Sequence, residues 1–375
     1  MEGVLAVKKY CVWAGLMMSV LVLSGCSRKA EEVAVTAAPT TERVVVTTEA
    51  ETEPAESEPE STERVAVDGM IRSYLTGEMV PVEQGDRRPL AVMISNDKAA
   101  MPHYGMNNAG VIYEAPVEGG INRYMAIIED YDDLERIGSV RSCRTYYTYF
   151  AKEFEAVYAH FGQSVFALPY LENVDNINGI EGLGGRAFYR TSDKKAPHNA
   201  YTSGERVKKA MEEMGYDSAY PESYEGHFLF ADKPNLLEDE RDATYVAPGY
   251  PINAPWFEYR PDDGLYYRYQ YGGPHNGDKG QFAVKNIIFQ YCGWDYYNLT
   301  EYLDINEHTS ERGYFFTNGK CQNITWRKDG EFGVTHYYDE DGQEIELNPG
   351  KTWICIIQSD RYDKAVFHGD NEDNE

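Results

Sequence analysis

Hydrophobic positions fall into three regimes along the chain. From Cys11 to Leu23 they form one nearly unbroken run behind Lys8 and Lys9. A stable membrane span takes about 20 apolar residues, so this shorter run predicts a secretory h-region. From residue 27 to about residue 67 the chain thins into Glu, Thr, Ala, Val and Pro. The tract from Ala50 to Glu60 cannot bury enough apolar surface to offset its ordering entropy, which predicts an extended acidic tether.

From Arg88 onward, short apolar runs alternate with turn residues. Leu90–Ile94, Val111–Tyr113 and Tyr124–Ile128 predict buried strands, the last two joined through Glu118-Gly119-Gly120. Tyr146, Phe150 and Phe154 recur at every fourth residue and predict a helix over Thr145–Glu155. Val157–Phe161 predicts another strand. A second helix is expected over Ser203–Met214, with Thr202-Ser203-Gly204-Glu205 as a capping box and Gly215 as the C-cap.

Beyond about residue 235 the helical spacing disappears. Tyr266–Tyr271, Val284–Tyr291, Gly313–Thr317, Ile324–Arg327 and Lys351–Gln358 read as strands. Asp263-Gly264, Asn276-Gly277, Asn318-Gly319, Asp329-Gly330 and Asp341-Gly342 read as turns between them. The pattern predicts an α+β protein: a mixed α/β N-terminal domain at 68–235, then a small mostly-β sandwich or barrel at 236–365. Residues 1–25 are the expected signal peptide, 26–67 the tether and 366–375 an acidic tail.

Composition narrows the partners. The 375 residues carry 62 Asp and Glu against 35 Lys and Arg, a formal net charge of -27. No Lys/Arg cluster offers to neutralise phosphates, which excludes nucleic acid, and the acidity opposes adhesion to anionic lipid. Leu23-Ser24-Gly25-Cys26 resembles the lipobox of bacterial lipoproteins. Lipidation at Cys26 would supply two acyl chains, enough for a stable anchor. The expected location is therefore the outer face of the bacterial cytoplasmic membrane. Cys143, Cys292, Cys321 and Cys355 then remain, without any C-x-x-C pair. They read as buried thiols rather than a zinc site, with one bridge among the last three left open.

Four segments carry a family resemblance: Arg88–Ile94, Ile112–Ile121, Gly138–Arg144 and Ala196–Thr202. With the stretch from Asn318-Gly319-Lys320 to Trp353, they resemble the YerB-like lipoprotein family over about residues 85 to 360. The resemblance implies a two-domain extracytoplasmic lipoprotein with a β-rich C-terminal partner domain. It implies no established reaction.

Candidate chemistry has to come from the residues. Arg141 and Arg144 stand at a helix start, where unpaired N–H groups and a partial positive charge favour an anion. Glu114 and Glu118 lie beside Gly119-Gly120 and Arg123, as an acid–base pair or as salt-bridge partners of Arg123, Arg141 and Arg144. The salt bridges are the favoured reading. Cys143 between two arginines could pair with His160 or His198, and Pro197-His198-Asn199 is expected to line the same cleft. Gly182-Leu183-Gly184-Gly185-Arg186-Ala187 matches G-x-G-x-x-A but lacks a preceding strand and a following helix. No metal-binding spacing occurs, and no cofactor is expected. The 31 tyrosines suit half-buried strand faces better than sugar stacking.

These readings predict a non-catalytic binding or scaffolding protein with a pocket for an anionic ligand. Its lining would be Glu114, Glu118, Arg123, Arg141, Arg144, His160, His198 and Asn199. Candidate partners are the membrane through the lipid anchor and a cell-wall polymer, peptide or envelope protein. The alternative is a cell-wall-active hydrolase using Glu114 and Glu118 with His160 and His198.

Overall fold

Apolar runs bounded by glycine, proline and asparagine become the strands of one large mixed sheet. The computed structural model describes residues 64–306 and 311–370. The expected signal peptide, Cys26 and most of the expected tether lie outside the described residues.

The elements that position the site run, in chain order, β1 (Leu90–Ser95), β2 (Val111–Pro116), β3 (Asn122–Ile128) and α1 (Thr145–Glu153). Then come β4 (Val157–His160), β5 (Asn176–Asn178) and α2 (Gly204–Met214). The later part adds β6 (Tyr245–Ala247), β7 (Trp256–Arg260), β8 (Leu265–Gln270), β9 (Asn286–Tyr296) and β10 (Leu303–Asn306). Finally come β11 (Glu311–Thr317), β12 (Lys320–Lys328), β13 (Thr352–Gln358) and β14 (Val366–His368).

The central sheet follows the order β12-β11-β9-β13-β2-β3-β1-β4-β5. Strand β13 lies between β9 and β2 and runs parallel to both. Its register against β2 pairs Thr352 with Val111 and Cys355 with Glu114. β1, β2 and β3 are buried along their whole length, and so is β13 up to Ile357. Strands buried on both faces need cover on each side. On one side α1 supplies it, with Phe150 stacked on Tyr113 at 4.2 Å. On the other, α2 and the small sheet β14-β6-β7-β8 pack over Val92, Tyr124, Phe289 and Trp353.

The α+β class and the strand-rich second half are as the sequence implies. The expected separate sandwich or barrel is not. β9, β11, β12 and β13 extend the sheet of the first half instead of closing on themselves, because a doubly buried β13 requires a neighbour on each edge.

Local corrections have local causes. Ser203, not Thr202, caps α2, and its Oγ accepts from the Arg206 N–H at 3.3 Å. Glu205 therefore sits within the first turn, without the reciprocal role of a capping box. Gly204 is fixed at the helix start because a Cβ there would lie 1.8 Å from the Tyr131 carbonyl oxygen. Asn318-Gly319 is the expected turn, with φ of 50° and 74° at the two positions. Asn276-Gly277 is instead strand, paired with Gly280-Gln281; Gly277 is needed because a Cβ would meet Asn107 Oδ1 at 2.0 Å. The ordered fold also extends past the expected edges. Arg64 donates to the Gly85 carbonyl at 2.7 Å and to Asp86 at 2.8 Å. Val366–His368, assigned to the acidic tail, pairs with Tyr245–Ala247.

Candidate functional site

The loop from β2 to β3 reverses at Gly119 and Gly120, whose φ of 72° and 70° are readily adopted only by glycine. That reversal points Glu118 at the start of α1. Arg144 grips it with both ends of its fork, Nε to Oε1 at 2.5 Å and Nη2 to Oε2 at 2.6 Å. Arg123 completes the corner: its Nη1 donates to the Ser142 carbonyl at 2.7 Å, and its Nη2 lies 4.0 Å from Glu118. Burial works most strongly against the charge on Arg144, but the hydrogen bonds and charge of Glu118, with Tyr146 and Tyr302 behind them, together outweigh it and raise the pKa. Burial and then the neighbouring Arg144 push Arg123 down to about 10.

Arg141 is placed differently. Its Nη1 donates to the Pro197 carbonyl at 3.3 Å, and among the described residues it forms no ion pair. Burial and then Arg144 lower its pKa. His198 sits on the same loop, with Nδ1 3.3 Å from Ser95 Oγ and Nε2 3.9 Å from Asp97.

The other expected members go elsewhere. Asn199 accepts from Arg190 at 2.6 Å and donates to the Thr191 carbonyl at 3.0 Å, so it staples its own loop. His160 is fully buried, with Nδ1 on the Gly162 carbonyl at 2.9 Å and Nε2 3.2 Å from Asn176 Oδ1. Glu114 is 0% exposed and faces away from the arginine corner, toward Arg268. Cys143 is buried and its thiol is pushed up to about 12 by desolvation, the opposite of a reactive thiolate. Cys143, Cys292, Cys321 and Cys355 are all buried thiols without a disulfide.

A groove of about 510 Å³ opens beside the Glu118 loop. Trp294, Tyr296 and Leu303, where β9 and β10 leave the core as a hairpin, form one wall. Gln358 at the end of β13, and Asp360 and Arg361 just after it, line the groove beside them. Among the described residues no cluster of His, Cys, Asp or Glu is arranged to hold a metal ion. No described helix is long and apolar enough to cross a membrane.

Known proteins place this architecture. Residues 75–217 match the family described as "Protein of unknown function (DUF3048) N-terminal domain", and residues 246–354 match its C-terminal domain. This chain belongs to the DUF3048 family. It is similar to "Putative lipoprotein YerB" of Bacillus subtilis (strain 168), 28% identical over 302 residues, 76% of this chain and 86% of that one. The crystal structure of YerB protein from Bacillus subtilis superposes with a TM-score of 0.69, covering 79% of this chain and 98% of that one.

The two DUF3048 regions are joined by buried charge that sequence reading missed. Glu114 of the first region pairs with Arg268 of the second at 2.5 Å, both 0% exposed. Glu114 also accepts from Asn122 at 2.9 Å, Asn253 at 3.0 Å and Trp353 Nε1 at 3.1 Å. Arg268 Nη1 lies 2.9 Å from His275 Nδ1, and His275 Nε2 lies 2.9 Å from His103 Nδ1. His103 Nε2 faces the Ser95 carbonyl at 2.8 Å. A carbonyl only accepts, so His103 carries its proton on Nε2, and His275 Nε2 must donate to its open Nδ1. His275 Nδ1 is left to accept from Arg268. Every donor in the chain meets an acceptor only when both imidazoles are neutral. Burial drives His103 down to about 4 and, with the Arg268 charge, takes His275 well below its ordinary value.

A second pair repeats the device. Glu153 on α1 meets Lys328 on β12, and accepts from His227 Nε2 at 2.5 Å and Thr335 Oγ1 at 3.1 Å. Burial alone would raise Glu153, but Lys328 and His227 hold it down at about 2.

Proposed function

We propose that this DUF3048 protein is a lipid-anchored envelope protein that binds an anionic group at Arg141 and performs no catalysis. The observation that carries this is Arg141 itself: a half-buried guanidinium that forms no ion pair among the described residues, with Asp97 acting on it only through longer-range charge, in a chain of net charge -27. Its neighbours Arg123 and Arg144 share the single carboxylate of Glu118, so the corner holds a local surplus of positive charge. Guanidinium is well matched to carboxylate or phosphate, and His198 on the adjoining loop adds a second donor. The hydrolase reading has less support. It needs two open carboxyls, whereas Glu114 is sealed against Arg268 and both oxygens of Glu118 are held by Arg144.

The anchor is proposed on the Leu23-Ser24-Gly25-Cys26 site and on the lipoprotein description carried by the B. subtilis relative. Cys26→Ser is expected to move the protein from the detergent phase to the aqueous phase in a phase-partitioning assay, with a mass that lacks the acyl chains. A variant that stays in the membrane at unchanged mass would refute anchoring.

The anion site is tested by calorimetric titration of the full chain with inorganic phosphate and, separately, with acetate. Arg141→Ala is expected to weaken the bound anion about tenfold, the ~1.4 kcal/mol scale of one charge-assisted hydrogen bond, at unchanged melting temperature. Equal affinity in the variant, or no binding to the wild type at about 10 mM, rejects the site.

A further inference from the structure

The groove beside the Glu118 loop lies apart from Arg141 and has a chemistry of its own. We propose that it is a binding site for an uncharged oligosaccharide. Its lining residues are of two kinds. Trp294 and Tyr296 are two residues apart on β9 and so project to the same side, with Leu303 directly across from Tyr296 on β10. Their rings lie 5.2 Å apart at 84°, and Tyr296 is 48% exposed. Beside them the groove is lined by Gln358, Asp360 and Arg361, which supply polar donors and acceptors.

A sugar ring has this same division. Its axial C–H groups form an apolar face that packs on aromatic rings, while its hydroxyls each donate and accept at the rim. The volume of about 510 Å³ falls within the range of small-ligand sites. Its walls are also held in place. Trp294 Nε1 donates to Asp360 at 2.8 Å, tying the aromatic lining to the polar one. Arg361 is fixed through Nη2 to the Gly249 carbonyl at 3.0 Å, while its Nε is buried without a partner among the described residues.

Charge argues against the other ligand classes. Glu118 on the rim is already neutralised by Arg144, leaving Glu301 and Asp360 against the single cation of Arg361. That excess of negative charge disfavours an anion. It is also too small, with Asp360 already committed to Trp294, to make a cation site. A neutral polyol with an apolar face meets both kinds of lining.

The test titrates the full chain, purified in a detergent without a sugar headgroup, with cellotetraose, N-acetylchitotetraose and tetra-alanine. Calorimetry and tryptophan fluorescence read binding. Saturable binding of either sugar, weakened about tenfold by Tyr296→Ala at unchanged melting temperature, is the expected result. Trp294→Phe should abolish the fluorescence change while the chain stays folded. The proposal fails if neither sugar binds at about 10 mM, if Tyr296→Ala binds as the wild type does, or if only the peptide binds. Each outcome is independent of the Arg141 titration, since phosphate and acetate report on that site alone.

Discussion

Arg268→Met is expected to destabilise the protein by about 3–5 kcal/mol, the cost typical of leaving one partner of a buried ion pair uncompensated. Glu114 would keep its donors from Asn122, Asn253 and Trp353 but lose the cation 2.5 Å away, at a side chain 0% exposed. The aliphatic stem of methionine preserves packing over Trp353, whose ring lies 4.3 Å from the Arg268 guanidinium carbon. The loss therefore reports charge rather than volume. Adding Glu114→Gln should recover part of it, because the stranded charge is then gone, and urea unfolding of the four-member cycle measures the coupling. A single-variant loss below about 1 kcal/mol, or no recovery in the double variant, would show that the pair does not join the two family regions.

Acid lability is the second large effect. His103 titrates near 4 when folded and near 6.5 when unfolded. Between those values the unfolded chain binds the extra proton, so stability falls as pH drops through the window. Two and a half pH units correspond to about 3 kcal/mol for His103, and His275 acts in the same direction. Glu153, held near 2 against an ordinary 4.5, contributes stability above pH 4.5 that is lost as pH falls toward 2. The melting temperature should thus start to decline just below pH 6.5 and steepen under pH 4.5. Replacing His103 and His275 together by glutamine should make the upper part of that decline shallower, leaving the share of His160 and His227, which burial also lowers, and the lower part intact. A melting temperature constant from pH 7 to pH 5 would contradict the neutral-imidazole chain.

The elements that carry the site were largely legible because they obey simple periods. Leu90–Ile94 and Tyr124–Ile128 are continuous apolar runs and became buried strands, and the Tyr146–Phe154 spacing became α1. Glu118 does meet Arg144, as expected of an acid beside glycines and an arginine at a helix start, although neither motif by itself requires the other. Arg268 was hidden by its own context. It sits in a tyrosine-rich strand whose alternation turns Tyr266, Arg268 and Gln270 inward, and an inward arginine was the available signal for a buried carboxylate. Glu114 was the converse case, a lone acid within β2, whose other residues are apolar and which is buried throughout. Nothing local tells which of 62 acidic residues answers which arginine. That pairing is set by the packing of β8 in the small sheet over β2 in the central one, a contact between residues 154 apart in sequence.

The position of β13 has a consequence for the order in which this molecule can be made. Thr352–Gln358 is the last long strand to be synthesised, yet it fills the middle of the sheet between Val111–Pro116 and Asn286–Tyr296. While the chain is still growing, the row of amides and carbonyls along Val111–Pro116 has no neighbour on that side, and an open apolar edge invites wrong pairings. Closing that gap last, across so long a loop, makes the final step slow relative to local helix and hairpin formation. A nascent chain therefore benefits from being kept unfolded until all of it is available at once.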